Sequence, residues 1–212
     1  RELQPAASRP FIVTTTPALA SRWLIPRLET LREVCGSPRI AVQATEAVSN
    51  LLEGEADLAL RYAREPDPEL HCYPLFQDRY FPVCSPRLLG AQPCVRTAAE
   101  LKTHPIIEFD WKNRDTKAPT WQRWFDVQRG RLEEEAPGAP ETVLRFSEET
   151  HAIEAAIIGQ GIALLSDRVV GREIENGQLV KALDSSIEGL TLYGVYTRKS
   201  PHEATAALLV DY

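Results

Sequence analysis

The sequence predicts an α/β fold on two observations. From Phe11 to Arg61, short apolar β-branched runs alternate with helix-period patterns. After Pro105 the same alternation returns. A β-α-β-α-β order of this kind argues for parallel strands with helices packed on the sheet faces. The 212 residues are enough for one large domain or two small ones, each with its own core.

Phe11 to Thr15 is apolar and β-branched and reads as a strand. Thr16-Pro17 offers a helix start: threonine can cap free N–H groups, and proline is tolerated at the first helical position. Leu24, Leu28 and Leu31 follow at i, i+4 and i+7, one face of a helix. Pro26 lies inside that pattern and should bend it, because it lacks an N–H and crowds the carbonyl of Arg22. Arg39 to Gln43 reads as a second strand. Thr45 begins a second helix, with Ala47, Val48, Leu51 and Leu52 on its apolar side and Gly54 at its end. Asp57 to Arg61 is a third strand.

Leu70 to Cys84 reads as two extended segments around Gln77-Asp78, closed by Ser85-Pro86. A short helix near Ala98 to Leu101, a strand at Pro105 to Phe109 and a polar loop from Lys112 to Pro119 follow. In the next helix, Thr120 to Gln128, the side carrying Trp121, Trp124 and Phe125 reads as core more than as a stacking platform. Beyond the loop Ala136 to Pro140 come a strand at Thr142 to Phe146, a helix at Glu148 to Ile158 stopped by Gly159, and a strand at Ile162 to Leu165. A helix near Asp167 to Glu175, strands at Leu179 to Ala182 and Leu190 to Thr197, and a helix from about His202 complete the chain.

Composition is that of an ordinary globular protein, 43% apolar and 25% charged. Net charge is −6, and there is no Lys/Arg-rich run to neutralise phosphates. The nearest thing to a charge block, Glu133 to Glu135, is acidic, so the chain is not expected to hold DNA by itself. Arg1 to Pro10 has no signal-peptide core, and no apolar run approaches the roughly 20 residues of a membrane helix. The expected location is the cytoplasm, with no membrane partner.

Cys35, Cys72, Cys84 and Cys94 form no C-x-x-C pair and no zinc spacing, and read as free, mostly buried thiols. His71, His104, His151 and His202 have no partner at helical spacing, so neither a metal nor a cofactor is expected. There is no phosphate-binding P-loop and no G-x-S-x-G elbow. Gly159-Gln160-Gly161 follows a helix instead of a strand, and Leu164 stands where a dinucleotide fingerprint needs its third glycine. It reads as a helix stop feeding a strand. Glu148-Glu149 suits a helix dipole better than acid/base work, since neighbours on a helix point about 100° apart. What remains is binding. Thr16-Pro17, Thr45-Glu46 and Glu149-Thr150 are helix starts that follow strands. Ligands of open α/β sheets collect there, and free N–H groups favour an anion.

Four segments carry a resemblance. Phe11 to Leu28 (FIVTTTPALASRWLIPRL) resembles the opening of the effector-binding domain of LysR-type transcriptional regulators. Leu51 to Tyr62 (LLEGEADLALRY) is similar to the family's turn from its second helix into its third strand, and Leu75 to Pro86 to its crossover. Phe146 to Leu165 (FSEETHAIEAAIIGQGIALL) resembles the helix and glycine pair that lead back. Trp23 and the Arg61-Tyr62 ending resemble the branch that regulates glycine cleavage and β-lactamase genes.

The resemblance implies a periplasmic-binding-protein-like fold of type 2: two Rossmann-like subdomains joined by two crossings. Residues 1–84 and 166–212 would form one subdomain and 85–165 the other. It implies a sensing domain, not an enzyme, that binds a small effector in the cleft between the subdomains. The winged helix-turn-helix and linker helix would precede residue 10, with Arg1 to Ser8 as the tail of that linker, and DNA would be held only through that missing part. By family position the effector contacts are Thr15, Thr16, Pro17, Ala18, Thr45, Arg61, Tyr62, Phe109, Asp110, Glu149 and Thr150. Members of the branch often carry a small hydroxyl residue where Glu149 stands. A carboxylate there favours a zwitterion such as an amino acid or short peptide over a simple organic acid. The resemblance also implies a homodimer of this domain and a homotetramer of the full-length regulator. In the dimer, the first helix (Thr16 to Glu33) packs beside the partner's return helix (Glu149 to Ile158), with Ala18, Leu19 and Ile157 as spare apolar residues. The alternative is an extracytoplasmic solute-binding protein of the same fold, which predicts a signal peptide in the full gene. An enzyme on this fold, dehydratase-like or porphobilinogen-deaminase-like, would need a cofactor-linked cysteine or a paired acid and base.

Overall fold

A computed structural model describes residues 9–34, 39–63, 68–90, 94–111, 118–132, 141–200 and 202–211. In order, the elements are β1 Phe11–Thr15, α1 Pro17–Leu19, a π-helical segment Ala20–Leu24, a 3-10 turn Ile25–Arg27 and α2 Leu28–Val34. Then come β2 Ile40–Ala44, β3 Leu58–Ala63, β4 His71–Cys84, α3 Pro86–Leu89, α4 Ala98–Leu101, β5 Ile106–Phe109, α5 Trp121–Leu132 and β6 Thr142–Phe146. The chain ends with α6 Glu149–Ile157, β7 Ile162–Ser166, α7 Gly171–Glu175, β8 Val180–Lys181, β9 Ile187–Tyr196 and α8 Glu203–Asp211. It divides into two compact units, Arg1–Phe76 with Thr191–Tyr212, and Gln77–Leu190. Ser85-Pro86 marks the end of β4 and the start of α3, whereas the division falls at Gln77, inside β4, and again at Thr191, inside β9.

In the first unit β2, β1 and β3 lie side by side and parallel, and β9 runs antiparallel to β3. Phe11, Val13, Leu19, Leu24, Leu58 and Leu60 are buried. Thr16 has the extended backbone of an N-cap, φ −71° and ψ 155°, but its side chain makes no capping bond, contrary to the sequence expectation. Pro26 changes the winding of the helix. Arg22 loses its normal i+4 donor, and the ladder widens and then tightens: the Ile25 N–H donates to the Ala20 carbonyl, and the Leu28 N–H to that of Ile25.

The helix expected from Thr45 to Gly54 is not there; the segment is bends and turns. The Thr45 hydroxyl accepts from the Ala47 N–H at 3.1 Å. The Asn50 side chain accepts from the N–H groups of Leu52 and Glu53, and the Glu55 carboxylate from that of Asn50. These local side-chain bonds compete with a helix ladder, as threonine and asparagine are built to do. Only Leu51 of the expected apolar side is buried, whereas Val48 is 88% exposed. Gly54 still ends the segment with φ 77°.

The expected break at Gln77-Asp78 is also absent, since β4 is one strand of 14 residues. Asp78 is fully buried and accepts from the Ser166 hydroxyl, so a pair that looks like a turn is an internal polar contact. In the second unit β4, β7, β5 and β6 lie in that order, with β8 on β4. Trp121, Trp124 and Phe125 are buried in its core, as the stripe predicted. The Trp121 indole donates to the Ile107 carbonyl at 2.8 Å and that of Trp124 to the Ser185 carbonyl at 3.0 Å.

The glycine pair after α6 has two separate jobs. Gly159, at φ 83°, lets its own N–H reach the Ala156 carbonyl and the Gln160 N–H that of Ala155. That is the six-residue helix stop in which a left-handed glycine satisfies the last carbonyls. At Gly161 a Cβ would sit 2.7 Å from the Pro105 carbonyl oxygen, so a side chain there would push β5 and β7 apart.

Among the described cysteines, Cys84 is buried, Cys72 partly so, and Cys94 is exposed, which corrects the expectation for Cys94; Cys35 lies outside the described residues. Burial pushes the Cys84 thiol up to about 12, leaving it an unreactive core group. The loops expected at Lys112 to Pro119 and Ala136 to Pro140 fall wholly or largely outside the described residues.

Candidate functional site

The two units each gather part of the expected set at strand ends. In the first unit, parallel β2, β1 and β3 end together at Thr45, at Thr15-Thr16, and at Arg61-Tyr62. With β1 between the other two, the connection reverses direction beside β1 and β3, where crevices form in open α/β sheets.

Within this group the side chains have different duties. Thr15 is fully buried and its hydroxyl donates to the Leu60 carbonyl at 3.1 Å, so it ties β1 to β3. Thr45 closes the end of β2: its N–H donates to the Thr15 carbonyl at 2.8 Å. Pro17 occupies the first helical position and Ala18 is buried. Thr16 Oγ1 is buried and has no hydrogen-bond partner among the described residues. Arg61 uses Nη2 twice, on Thr14 Oγ1 at 2.8 Å and on the Ala47 carbonyl at 3.0 Å. Its Nε and Nη1 are buried without a partner among the described residues. Burial lowers the Arg61 guanidinium from its ordinary value, and the Glu46 carboxylate opposes that shift. Tyr62 is half-buried at the strand end. The strand ends thus hold buried donors that lack a partner among the described residues, beside a threonine hydroxyl, a chemistry suited to an anionic group.

Sequence reasoning missed the groups that aim Arg61. Thr14 is fully buried and its hydroxyl also accepts from Ser49 Oγ at 3.3 Å. Ser49 and Ala47 can reach β1 and β3 because residues 45–50 are irregular; a helix assumed there hid the contact. The Thr-Thr-Thr run after Val13 was the available signal.

In the second unit, Phe109 and Asp110 end β5, with the Asp110 N–H donating to the Phe146 carbonyl of β6 at 2.9 Å. The Phe109 ring meets Trp111 edge-on at 4.9 Å. Asp110 is exposed and 3.7 Å from Arg145, which also pairs with Glu108 at 2.7 Å. Glu149 opens α6 and is 9% exposed, so it does not simply stand in solvent supporting the helix dipole. Thr150, one residue on, is half-buried. Ala18 and Leu19, expected as spare surface residues, are buried in the first unit. Ile157 is half-buried, and the exposed large apolar residues on the two elements expected at a dimer interface are Ile25 and Ile158. Among the described residues no group of three histidine, cysteine or acidic side chains could hold a metal, and no helix is long and apolar enough to cross a membrane.

Comparison with known proteins gives this geometry a family. The model of the LysR substrate binding domain matches residues 6–212. The glycine cleavage system transcriptional activator of Escherichia coli K12 is 30% identical over 184 residues, 85% of this chain and 56% of that protein. The regulator TrpI of Pseudomonas aeruginosa is 25% identical, over 82% of this chain and 56% of its own length. The chain therefore spans about half the length of these relatives. Among solved structures, the effector domain of the transcriptional regulator AmpR from Pseudomonas aeruginosa superposes with a TM-score of 0.71 at 17% identity, covering 94% of this chain and 92% of that one. The regulatory domain of CrgA from Neisseria meningitidis gives 0.72 at 22% identity, covering 95% and 97%. These likenesses carry the fold, the periplasmic-binding-protein-like α/β arrangement of such domains. The chain belongs to the LysR substrate-binding domain family.

Proposed function

We propose that the protein to which this domain belongs is a cytoplasmic, DNA-binding transcriptional regulator whose activity is set by a small effector with an anionic group. The anion is received at the ends of β1 and β3. One observation carries this: Thr16 Oγ1 and the Nε and Nη1 of Arg61 are buried at those strand ends without a partner among the described residues. Unmet buried donors are costly, and a carboxylate satisfies two of them with charge-assisted bonds. Ala18, whose side chain is buried, contributes backbone at the helix start. The finer reading, an effector with an ammonium as well, rests on the family position of Glu149, a buried carboxylate.

Calorimetry against amino acids, short peptides and simple organic acids tests this. Thr16→Val and Arg61→Gln should each weaken a true effector by about tenfold or more, the effect of losing one such bond. Glu149→Gln should weaken only ammonium-bearing ligands. An effector indifferent to both Thr16→Val and Arg61→Gln sinks the site; one indifferent only to Glu149→Gln sinks the zwitterion.

The domain is further proposed to form a two-fold dimer, and the whole regulator a tetramer that reaches DNA through its other domain. Ile25 at 54% and Ile158 at 65% exposure are the apolar residues left uncovered on the two elements concerned. Sedimentation at micromolar concentration should show a dimer, and Ile158→Glu should give monomers; a monomer at all concentrations would dispose of it.

A further inference from the structure

We propose a second small-molecule site in the first unit, separate from the strand-end residues and taking an amphipathic monoanion such as a medium-chain carboxylate. It is a cavity of about 360 Å³, at the low end of the few hundred to about 1,000 Å³ that small-molecule sites occupy. Its inner wall is Val13 of β1 and Leu60 of β3, and Leu24 and Leu31 close it from the helical side. All four are 6% exposed or less, so the space lies inside the unit rather than on a flat face.

Protein interiors are packed with few voids larger than a water molecule. The inner wall of this space is built of aliphatic side chains and offers water few hydrogen-bond partners there. Hydrocarbon satisfies it. At the exposed end stand Trp23, Phe76 and Arg27. The Arg27 guanidinium lies over the Trp23 ring at 4.9 Å, and its Nη1 donates to the Trp23 carbonyl at 2.9 Å. Arg27 is the lone charged side chain of the lining, and its exposed charge is placed to meet an anionic head while a chain or ring fills the interior.

Alternation along the strands separates this site from the first. Val13 and Leu60 face the cavity, so Thr14 and Arg61, one residue on, face the other side of the sheet. The two sites therefore share β1 and β3 without sharing side chains, and a ligand in one can alter the other by shifting those strands.

Decanoate and decanol are the probes, titrated against the chain by calorimetry. Decanoate should bind, Val13→Phe should weaken it at least tenfold by filling the space, and Leu31→Phe should do the same from the helical side if Val13→Phe fails to fold. Arg27→Gln should weaken decanoate severalfold and leave decanol unchanged. Thr16→Val, which disrupts the strand-end site, should leave both probes unaffected. No binding of either probe at its solubility limit overturns the proposal, as does full affinity in the filled variants. Loss of binding as protein concentration rises would show a second copy closing the cavity, and equally overturns it.

Discussion

Replacing Trp124 with alanine should lower the unfolding free energy by about 3–5 kcal/mol, the usual cost of deleting a buried indole. The side chain is fully buried, and its ring meets Trp121 and Phe125 edge-on at 6.0 and 5.0 Å, so the space cannot collapse without moving two other aromatics. The variant also strands the Ser185 carbonyl that accepts from Nε1. Trp124→Phe keeps most of the volume and loses only that bond, so about 1–2 kcal/mol is expected. Urea unfolding should rank the two in that order. Equal losses would mean that the hydrogen bond, and not the packing, carries the site.

The second large effect is expected at Asp57, a fully buried carboxylate in the turn before β3. It accepts two bonds from Arg9, at 3.1 and 2.6 Å, one from the Ile12 N–H at 2.9 Å and one from Ser200 Oγ at 2.6 Å. Asp57→Ala removes four acceptor contacts at once. Breaking a buried pair costs about 3–5 kcal/mol; Arg9 is 38% exposed and can regain water, so about 2–3 kcal/mol is the discounted figure. Asp57→Asn keeps one acceptor oxygen and should cost about half as much. Thermal unfolding of both variants checks this, and an Asp57→Ala variant within about 0.5 kcal/mol of the parent would show that the cluster contributes little.

The strands around the site were legible because their signal is local. Phe11–Thr15 is a run of β-branched and apolar residues, Thr142–Phe146 is one broken only by Arg145, and each is a strand as read. Glu149–Ile157 carries helix periodicity and its own glycine stop. Residues 45–54 misled for a physical reason. Ala47, Val48, Leu51 and Leu52 have helical spacing, but Thr45 and Asn50 hold their own backbone neighbours in turns. Asp78 misled in the opposite sense: polar in sequence, it is paired by Ser166, 88 positions later, which no local window contains. At the site, Arg61 could be picked out as a strand-ending cation. Its partners could not, since Thr14 and Ala47 meet it only after three strands have aligned. That the buried Thr16 hydroxyl finds no partner among the described residues is likewise a property of packing, since at the level of sequence it reads as an ordinary helix cap.

The proline in the first helix has a rotational consequence. Before it, the π-helical Ala20–Leu24 is wound more loosely than an α-helix; after it, the 3-10 turn Ile25–Arg27 is wound more tightly. The two departures turn side chains in opposite directions about the axis. They offset one another enough that Leu19 before both and Leu31 after both lie in the core, at 0% and 6% exposure. The helix therefore carries a proline without losing phase. A change that straightened only one of the two turns would leave the backbone helical and still swing the whole α2 face, Leu31 included, away from the sheet.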